Sequence, residues 1–438
     1  LYGAEFAADP ARVYDQLRHH GPIAPVDLAP GVPANLVIGY GTALEVLRNP
    51  GTFPKDPRRW QQHAPKDSPV LPLMQYRPSC RQADGDVHAR LRGAVTDSLA
   101  RVDPTALRGY VERSADTLIN RLGPTGSADL ISQYAKVLPL LVFNHLFGCP
   151  PDLGDQLVAG MSGIFDGTDA QKANAILTQA VRELIGLKRA QPGADVPSWL
   201  MAHPARLTNE EMMHQVLTLM GAGTEPQTNL IANALRLLLS DDRFAGDLSG
   251  GSLPVEDALD EVLWTDPPMA NFAITYPYQD VDLEGVRLPA DEPVVISLAA
   301  ANTDPSLTDQ RTGNRAHLAF SAGPHTCPAQ EQARLIAVVA IERILDGLPD
   351  MRLVAPYDQL TWRPGPFHRA LVSLPVRFPA VYAPAPSEQP TGDHRWNPNP
   401  AQSLSTSPAA TSTPKAHSSA NTAPRHWWSF LARWWHGQ

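Results

Sequence analysis

Between Thr208 and Ser240, apolar residues Met212, Val216, Leu217, Met220, Leu230, Ile231, Leu235 and Leu238 recur at the spacing of one helix face. Continuous, such a helix is about 45 to 50 Å long at 1.5 Å per residue, enough to cross a large domain. Thr208 can cap the amide of Glu211 while Glu211 reaches back, which fixes the start. Pro226 cannot donate to the carbonyl of Ala222, and Gly221 and Gly223 precede it, so a kink or loosening is expected there. A weakness in mid-helix often marks a ligand site; two helices meeting end to end is the plainer alternative. Proline makes up 44 of the 438 residues. That is roughly twice the usual 5% and excludes a coiled coil or a simple bundle of long helices. With 43% hydrophobic and 18% charged residues the chain can bury a core, as one large domain or two ordinary ones.

A second strong helical pattern covers Gln330 to Asp346, with Pro328 where a first-turn proline is tolerated, so Cys327 falls just before a helix N-terminus. Shorter helical patterns cover Pro10 to His20, Gly41 to Asn49, Asp86 to Arg101, Pro104 to Leu122, Ile131 to Phe147, Asp169 to Arg189 and Val255 to Trp264. Strand-like runs are few: Ala34 to Gly39, Val281 to Leu288, Pro293 to Ser297 and Ala370 to Val376. The balance predicts a mainly α protein with a minor β-sheet, one large domain over 1–378. Residues 379–424 are Pro, Ser, Thr and Ala with hardly an aliphatic side chain, the composition of a disordered linker. The last segment, 425–438, carries Trp427, Trp428, Trp434 and Trp435 with Arg425 and Arg433. It suits docking to a membrane surface or a partner, and a functionless extension equally.

A formal charge of −9 argues against a nucleic-acid partner, because phosphate contacts need surplus Lys and Arg. Cys80, Cys149 and Cys327 are too few and too scattered for a disulfide framework or a metal cluster, which favours a reducing compartment. The opening LYGAEFAADP has acids where a signal peptide has a basic start, and no run approaches the ~18 apolar residues of a membrane span. A cytoplasmic protein is expected.

The segment richest in chemistry is Phe320-Ser-Ala-Gly323-Pro-His325-Thr-Cys327-Pro-Ala329. A thiol at a helix N-terminus is expected to have a lowered pKa, and a thiolate is a strong axial donor to haem iron. Gly323 allows a tight turn, and His325 offers a donor to an anion near the sulfur. Taken alone, a single Cys is more often an inert core residue.

The spacing Phe-x-x-Gly-x-His-x-Cys, with Ala333 and Arg334 downstream, resembles the cysteine-ligand loop of the cytochrome P450 family. Asp86-Val-His88-Ala-Arg90-Leu-Arg92 resembles that family's propionate-binding helix, with His88 and Arg92 on one face at i and i+4. Ala222-Gly223-Thr224-Glu225 resembles its oxygen-side helix. Glu261-Val-Leu-Trp264 before Pro267-Pro268 occupies the place of its E-x-x-R signature, and Ser297 to Pro305 resembles the strand and turn that follow. With Gly31-Val-Pro33 and Asp56-Pro-Arg58-Arg59-Trp60, the resemblance covers 1–378. It implies haem b (iron protoporphyrin IX) with Cys327 as axial thiolate and sole protein metal ligand. It implies cofactor contacts from His88, Arg92, Ala222, Phe320, Gly323, His325 and Ala329, and catalytic roles for Gly223, Thr224, Glu225 and Cys327. The implied activity is monooxygenation of a small organic molecule. The chain has no flavin or iron–sulfur motif, so electrons would come from a ferredoxin-type donor and its reductase.

Four departures from the family pattern stand out. Pro226 replaces the threonine that normally follows the acid, so Thr224, Thr228, a substrate hydroxyl or an ordered water would relay the proton through Glu225. Trp264 replaces the arginine of E-x-x-R, so Glu261 is expected to pair with Arg311, with Trp264 stacked on that guanidinium. Residues 267–279 contain no Arg, Lys or His, which leaves propionate binding to His88, Arg92 and His325. Pro328 and Ala329 follow the Cys, Ala329 in place of the usual glycine; one amide is lost to the sulfur, which should lower the iron's reduction potential. Trp264 together with Pro226 resembles a small actinobacterial subgroup encoded beside sensor-kinase and small-GTPase-like genes. Two rival readings follow: a haem-binding regulatory or scaffold protein with impaired oxygen activation, and a peroxide-driven peroxygenase.

Overall fold

The computed structural model describes residues 1–165, 170–241, 255–307 and 313–382. The chain starts with α1 (Ala4–Ala8) and α2 (Pro10–Leu17), then the hairpin β1 (Ile23–Ala29) and β2 (Val32–Val37). Next come α3 (Tyr40–Arg48), α4 (Leu71–Met74), α5 (Gly85–Leu99), α6 (Pro104–Leu122), β3 (Ser127–Asp129) and α7 (Val137–Leu146). Helices α8 (Pro151–Phe165), α9 (Ala170–Ala190), α10 (Val196–Ala202), α11 (Asn209–Ser240) and α12 (Val255–Thr265) follow. The C-terminal third holds β4 (Asn271–Thr275), the hairpin β5 (Val281–Leu283) and β6 (Val286–Leu288), β7 (Val294–Ser297), α13 (Leu298–Asn302), α14 (Gln330–Gly347), β8 (Arg352–Leu353) and β9 (Pro375–Arg377).

The main sheet has order β1-β2-β7-β4, with β2 and β7 parallel (Asn35 opposite Val294) and the other pairs antiparallel. All four residues of β7 are buried, as an inner strand covered on both faces requires. A small sheet β3-β9-β8 lies elsewhere. The amide of Val381 donates to the Gly123 carbonyl (2.9 Å), and the compact unit runs Leu1–Tyr382. The expected linker and tail lie, from residue 383, outside the described residues. No described helix is long and apolar enough to cross a membrane.

The organising element is α11. Its capping box forms as expected: Thr208 Oγ1 accepts from the Glu211 amide (3.2 Å) and Glu211 accepts from the Thr208 amide (2.8 Å). The helix continues without interruption through Pro226 instead of breaking there. Side-chain bonds tie it to α5 and α14. Glu211 pairs with Arg90 of α5, Gln215 Nε2 donates to the Leu91 carbonyl (3.1 Å), and Gln227 Nε2 donates to the Ala333 carbonyl on α14 (3.0 Å). The long helix thereby sets α5 and α14 at fixed positions along its length.

Several elements differ from the sequence pattern. Val281 to Leu288 is a hairpin, turning at Glu284 and Gly285 with positive φ. The Ser297 to Asp304 stretch is a short helix, α13, because Ser297 caps the Ala300 amide (3.0 Å). The Ile131 to Phe147 helix opens with a π-turn over Ile131–Ala135. Ala370 to Val376 yields a strand only at its end. Helix α8 escapes periodicity reading because Pro150, Pro151, Gly154 and Gly160 look like loop residues. Two of these are packing positions: a side chain at Gly154 would strike Asn144, and one at Gly160 would strike Leu177.

Candidate active site

The cysteine loop runs from α13 to α14. Its turn places Ser321 and Gly323 at φ +63° and +69°. A β-carbon on Gly323 would collide with the backbone carbonyl oxygen of Leu47, so the position demands glycine both for φ and for space. The Cys327 amide donates to the Phe320 carbonyl (2.8 Å), and Thr326 Oγ1 donates to the Gly323 carbonyl (2.7 Å). These bonds pin the thiol relative to the turn. The Ala329 amide donates to the Cys327 sulfur, so of the two positions after the Cys only Pro328 withholds a donor. The expected lowering of the thiol pKa is not found: burial pushes it up, against the opposing pulls of the Ala329 amide and Arg92. The physical reason is that α14 begins three residues later and the thiol is largely desolvated.

Helix α5 supplies His88 and Arg92. The rings of His88 and His325 lie 4.1 Å apart between centroids, and Arg92 Nη2 donates to the carbonyl of Thr326, next to the Cys. His88 Nε2 is buried with no hydrogen-bond partner, and burial, then His325 and Arg92, bring its pKa down to about 4. His325 turns to Asp84, with Nε2 3.3 Å from Oδ1. The predicted trio is therefore assembled, with the anion beside His325 already supplied by the protein.

On α11, Ala222 is exposed although the helix from Gln227 to Leu235 is buried. Gly223 faces elsewhere: a side chain there would occupy the ring of Phe143 on α7. The position therefore requires glycine for the packing of α7 against α11. Thr224 Oγ1 donates to the Met220 carbonyl (2.9 Å) and Thr228 Oγ1 to the Thr224 carbonyl (3.0 Å). Both hydroxyl protons are committed to their own helix. Glu225 is ion-paired with Arg363 and accepts from Asn229 Nδ2 (3.4 Å). Sequence reasoning misses Arg363, because nothing in the chain's local pattern links a loop arginine to an acid 138 residues away.

The ionic lock near the cysteine helix is also rebuilt. Arg311 lies outside the described residues. Trp264 is buried, donates Nε1–H to the Asn314 carbonyl (2.7 Å) and meets His317 edge to face. The buried acid is Asp260, one residue before Glu261. Its carboxylate is 2.5 Å from Arg334 Nη1 and accepts from Arg315 Nε (3.0 Å). The Arg334 contact is an ion pair off the hydrogen-bonding angle. Arg334 sits on α14 seven residues after Cys327, so the pair ties the thiol-bearing helix to α12.

A thiol that accepts from the amide at a helix N-cap, an orphaned imidazole, and an arginine with no acid partner among the described residues together fit an iron-bearing dicarboxylate. That donor set defines the haem-thiolate class. The chain matches no family model. It is 33% identical over 391 residues to the cytochrome P450 monooxygenase PikC of Streptomyces venezuelae, covering 86% of this chain and 92% of that one. It is 29% identical over 393 residues to a vitamin D(3) 25-hydroxylase of Pseudonocardia autotrophica, covering 86% and 95%. The solved structure of CYP154A1 from Streptomyces coelicolor A3(2) superposes with a TM-score of 0.77 at 29% identity, over 86% of this chain and 98% of that one. The chain belongs to the cytochrome P450 family. Its cofactor is haem held by a cysteine thiolate, and its activity is that of a monooxygenase; the comparisons do not favour a scaffold or a peroxygenase.

Proposed function

We propose that this chain hydroxylates a small organic molecule, with Cys327 as the thiolate and Glu225 as the side chain through which the proton is relayed. The observation that carries the reading is the joining of the Cys327 helix to the Glu225 helix through Gln227 and Ala333. Haem, when bound, supplies dioxygen activation. The chain's own residues do the rest. Gly323 and the Cys327–Phe320 bond fix the sulfur, and the Ala329 amide shares its charge. His88 and Arg92 offer donors to the haem carboxylates. Glu225 is kept in place by Arg363 rather than left to swing. Pro226 frees the Ala222 carbonyl from helix bonding, which gives an acceptor by which a water or a substrate hydroxyl can be oriented. That takes over the positioning a threonine provides elsewhere.

Electrons come one at a time from a ferredoxin-type protein and its reductase, and we place the enzyme in the cytoplasm with them. Relatives whose names record hydroxylation of a naphthoate, of vitamin D(3) and of mycinamicin IV support an apolar polycyclic or macrocyclic substrate. We assign the tail, 425–438, to docking at a partner or membrane surface.

Glu225→Gln tests the proton role. With a surrogate ferredoxin chain and a turned-over substrate, coupled product formation should fall about 100-fold, the usual scale of a general acid, while the haem spectrum stays unchanged. Full coupling in the variant would remove Glu225 from the mechanism.

A further inference from the structure

Beside His88 and Arg92 the structure gathers two cations that the proposed mechanism does not use. Lys55 is buried, and its ammonium makes no hydrogen bond or ion pair among the described residues. Arg81, partly buried, gives one bond, to the Leu73 carbonyl (2.9 Å), and lies 5.6 Å over the ring of Phe272. Both belong to the same place. Phe272 lies in β4 and Tyr276 directly follows it, and the Tyr276 amide donates to the carbonyl of Pro54, the residue before Lys55 (2.7 Å). Burial pushes Lys55 down to about 8, with Asp84 pulling it back up and Arg81 adding a smaller push down, and Cys80 is near both Arg81 and Arg92. Lys55, Arg81 and Arg92 thus form a connected cationic wall.

The acid that faces this wall is Asp84, and it is already engaged: Oδ2 accepts from the Lys55 amide (2.7 Å) and Oδ1 meets His325. Asp56, nearby in sequence, is held by Arg58. Three cations against one committed carboxylate is a costly arrangement for a protein interior unless a ligand brings negative charge. The haem carries two carboxylates. Residues 267–279, which include the β4 strand against which Arg81 packs, hold no cation of their own.

We propose that Lys55 and Arg81 are haem carboxylate ligands, supplying from the loops on either side of α4 the charge that the β4 segment lacks. The proposal rests on the haem assignment. Its consequence is that cofactor retention depends on two residues outside both the cysteine loop and helix α5.

The test is the rate at which the purified holoprotein loses haem to excess apomyoglobin. Lys55→Met and Arg81→Met should each release haem at least about tenfold faster, the scale of one charge-assisted hydrogen bond. The charge-keeping Lys55→Arg and Arg81→Lys should stay within about threefold of the parent, as should Arg287→Met on the exposed β5–β6 hairpin. If the methionine variants fail to accumulate, the arginine and lysine variants still report on charge, because a shape-only role makes them fast as well. Release at the parent rate from both methionine variants, or equal acceleration by the charge-keeping pair, overturns the proposal. A parent protein that binds no haem would instead overturn the assignment on which it rests.

Discussion

Asp260→Ala is expected to destabilise the protein by about 3 to 5 kcal/mol, the cost of leaving a buried charge without its partner. Both partners are largely hidden: the Asp260 and Arg334 side chains keep 10% and 12% of their accessibility. Arg315, at 52%, can return to water and contributes little to the loss. The stranded charge is Arg334, and it sits on the helix that carries the Cys loop. A lower denaturation midpoint should therefore come with faster haem loss. The double variant Asp260→Leu with Arg334→Met removes both charges and should recover much of the stability, since an apolar pair often replaces a buried ion pair without penalty. A single variant within about 1 kcal/mol of the parent by denaturant unfolding would show that the pair does not replace the missing E-x-x-R arginine.

Gly323→Ala should be nearly as damaging, and through geometry alone. An L-residue at φ +69° costs on the order of 1 to 2 kcal/mol. The larger effect is that the new methyl meets the Leu47 carbonyl, a backbone atom of α3 that has no rotamer to yield. The turn must move, and the bonds from Cys327 to Phe320 and from Thr326 to Gly323 move with it. Haem content after purification should drop to a small fraction of the parent's, with the far-ultraviolet helix signal largely kept. A variant with full haem occupancy would mean that the loop tolerates a displacement for which the fold leaves no room.

Much of this is legible in the sequence, for identifiable reasons. Helices α5, α6, α9, α11, α12 and α14 carry their apolar stripes openly, and the capping box at Thr208 is a local pattern. The cysteine loop is local too, so Phe320, Gly323, His325 and Cys327 group together on spacing alone. Partnerships between distant residues are not legible in this way. Asp260 and Glu261 are adjacent acids on a helix, one residue and about 100° apart. Which of them is buried depends on how α12 packs, not on its own sequence. The same holds for Arg363 on Glu225, and for Arg81 lying over Phe272 from a loop far upstream. Gly223 carries a constraint that its motif does not reveal: Phe143 on α7 fills the space above it.

The central claim is that Cys327 is the thiolate that holds the haem. The most direct test is the carbon-monoxide difference spectrum of the reduced protein, compared with Cys327→Ser, Cys80→Ser and Cys149→Ser. The parent and the latter two variants should show the strongly red-shifted Soret band of a thiolate-ligated haem, and Cys327→Ser should lose it. A red-shifted band that persists in Cys327→Ser, or that disappears in either of the other two variants alone, would contradict the account.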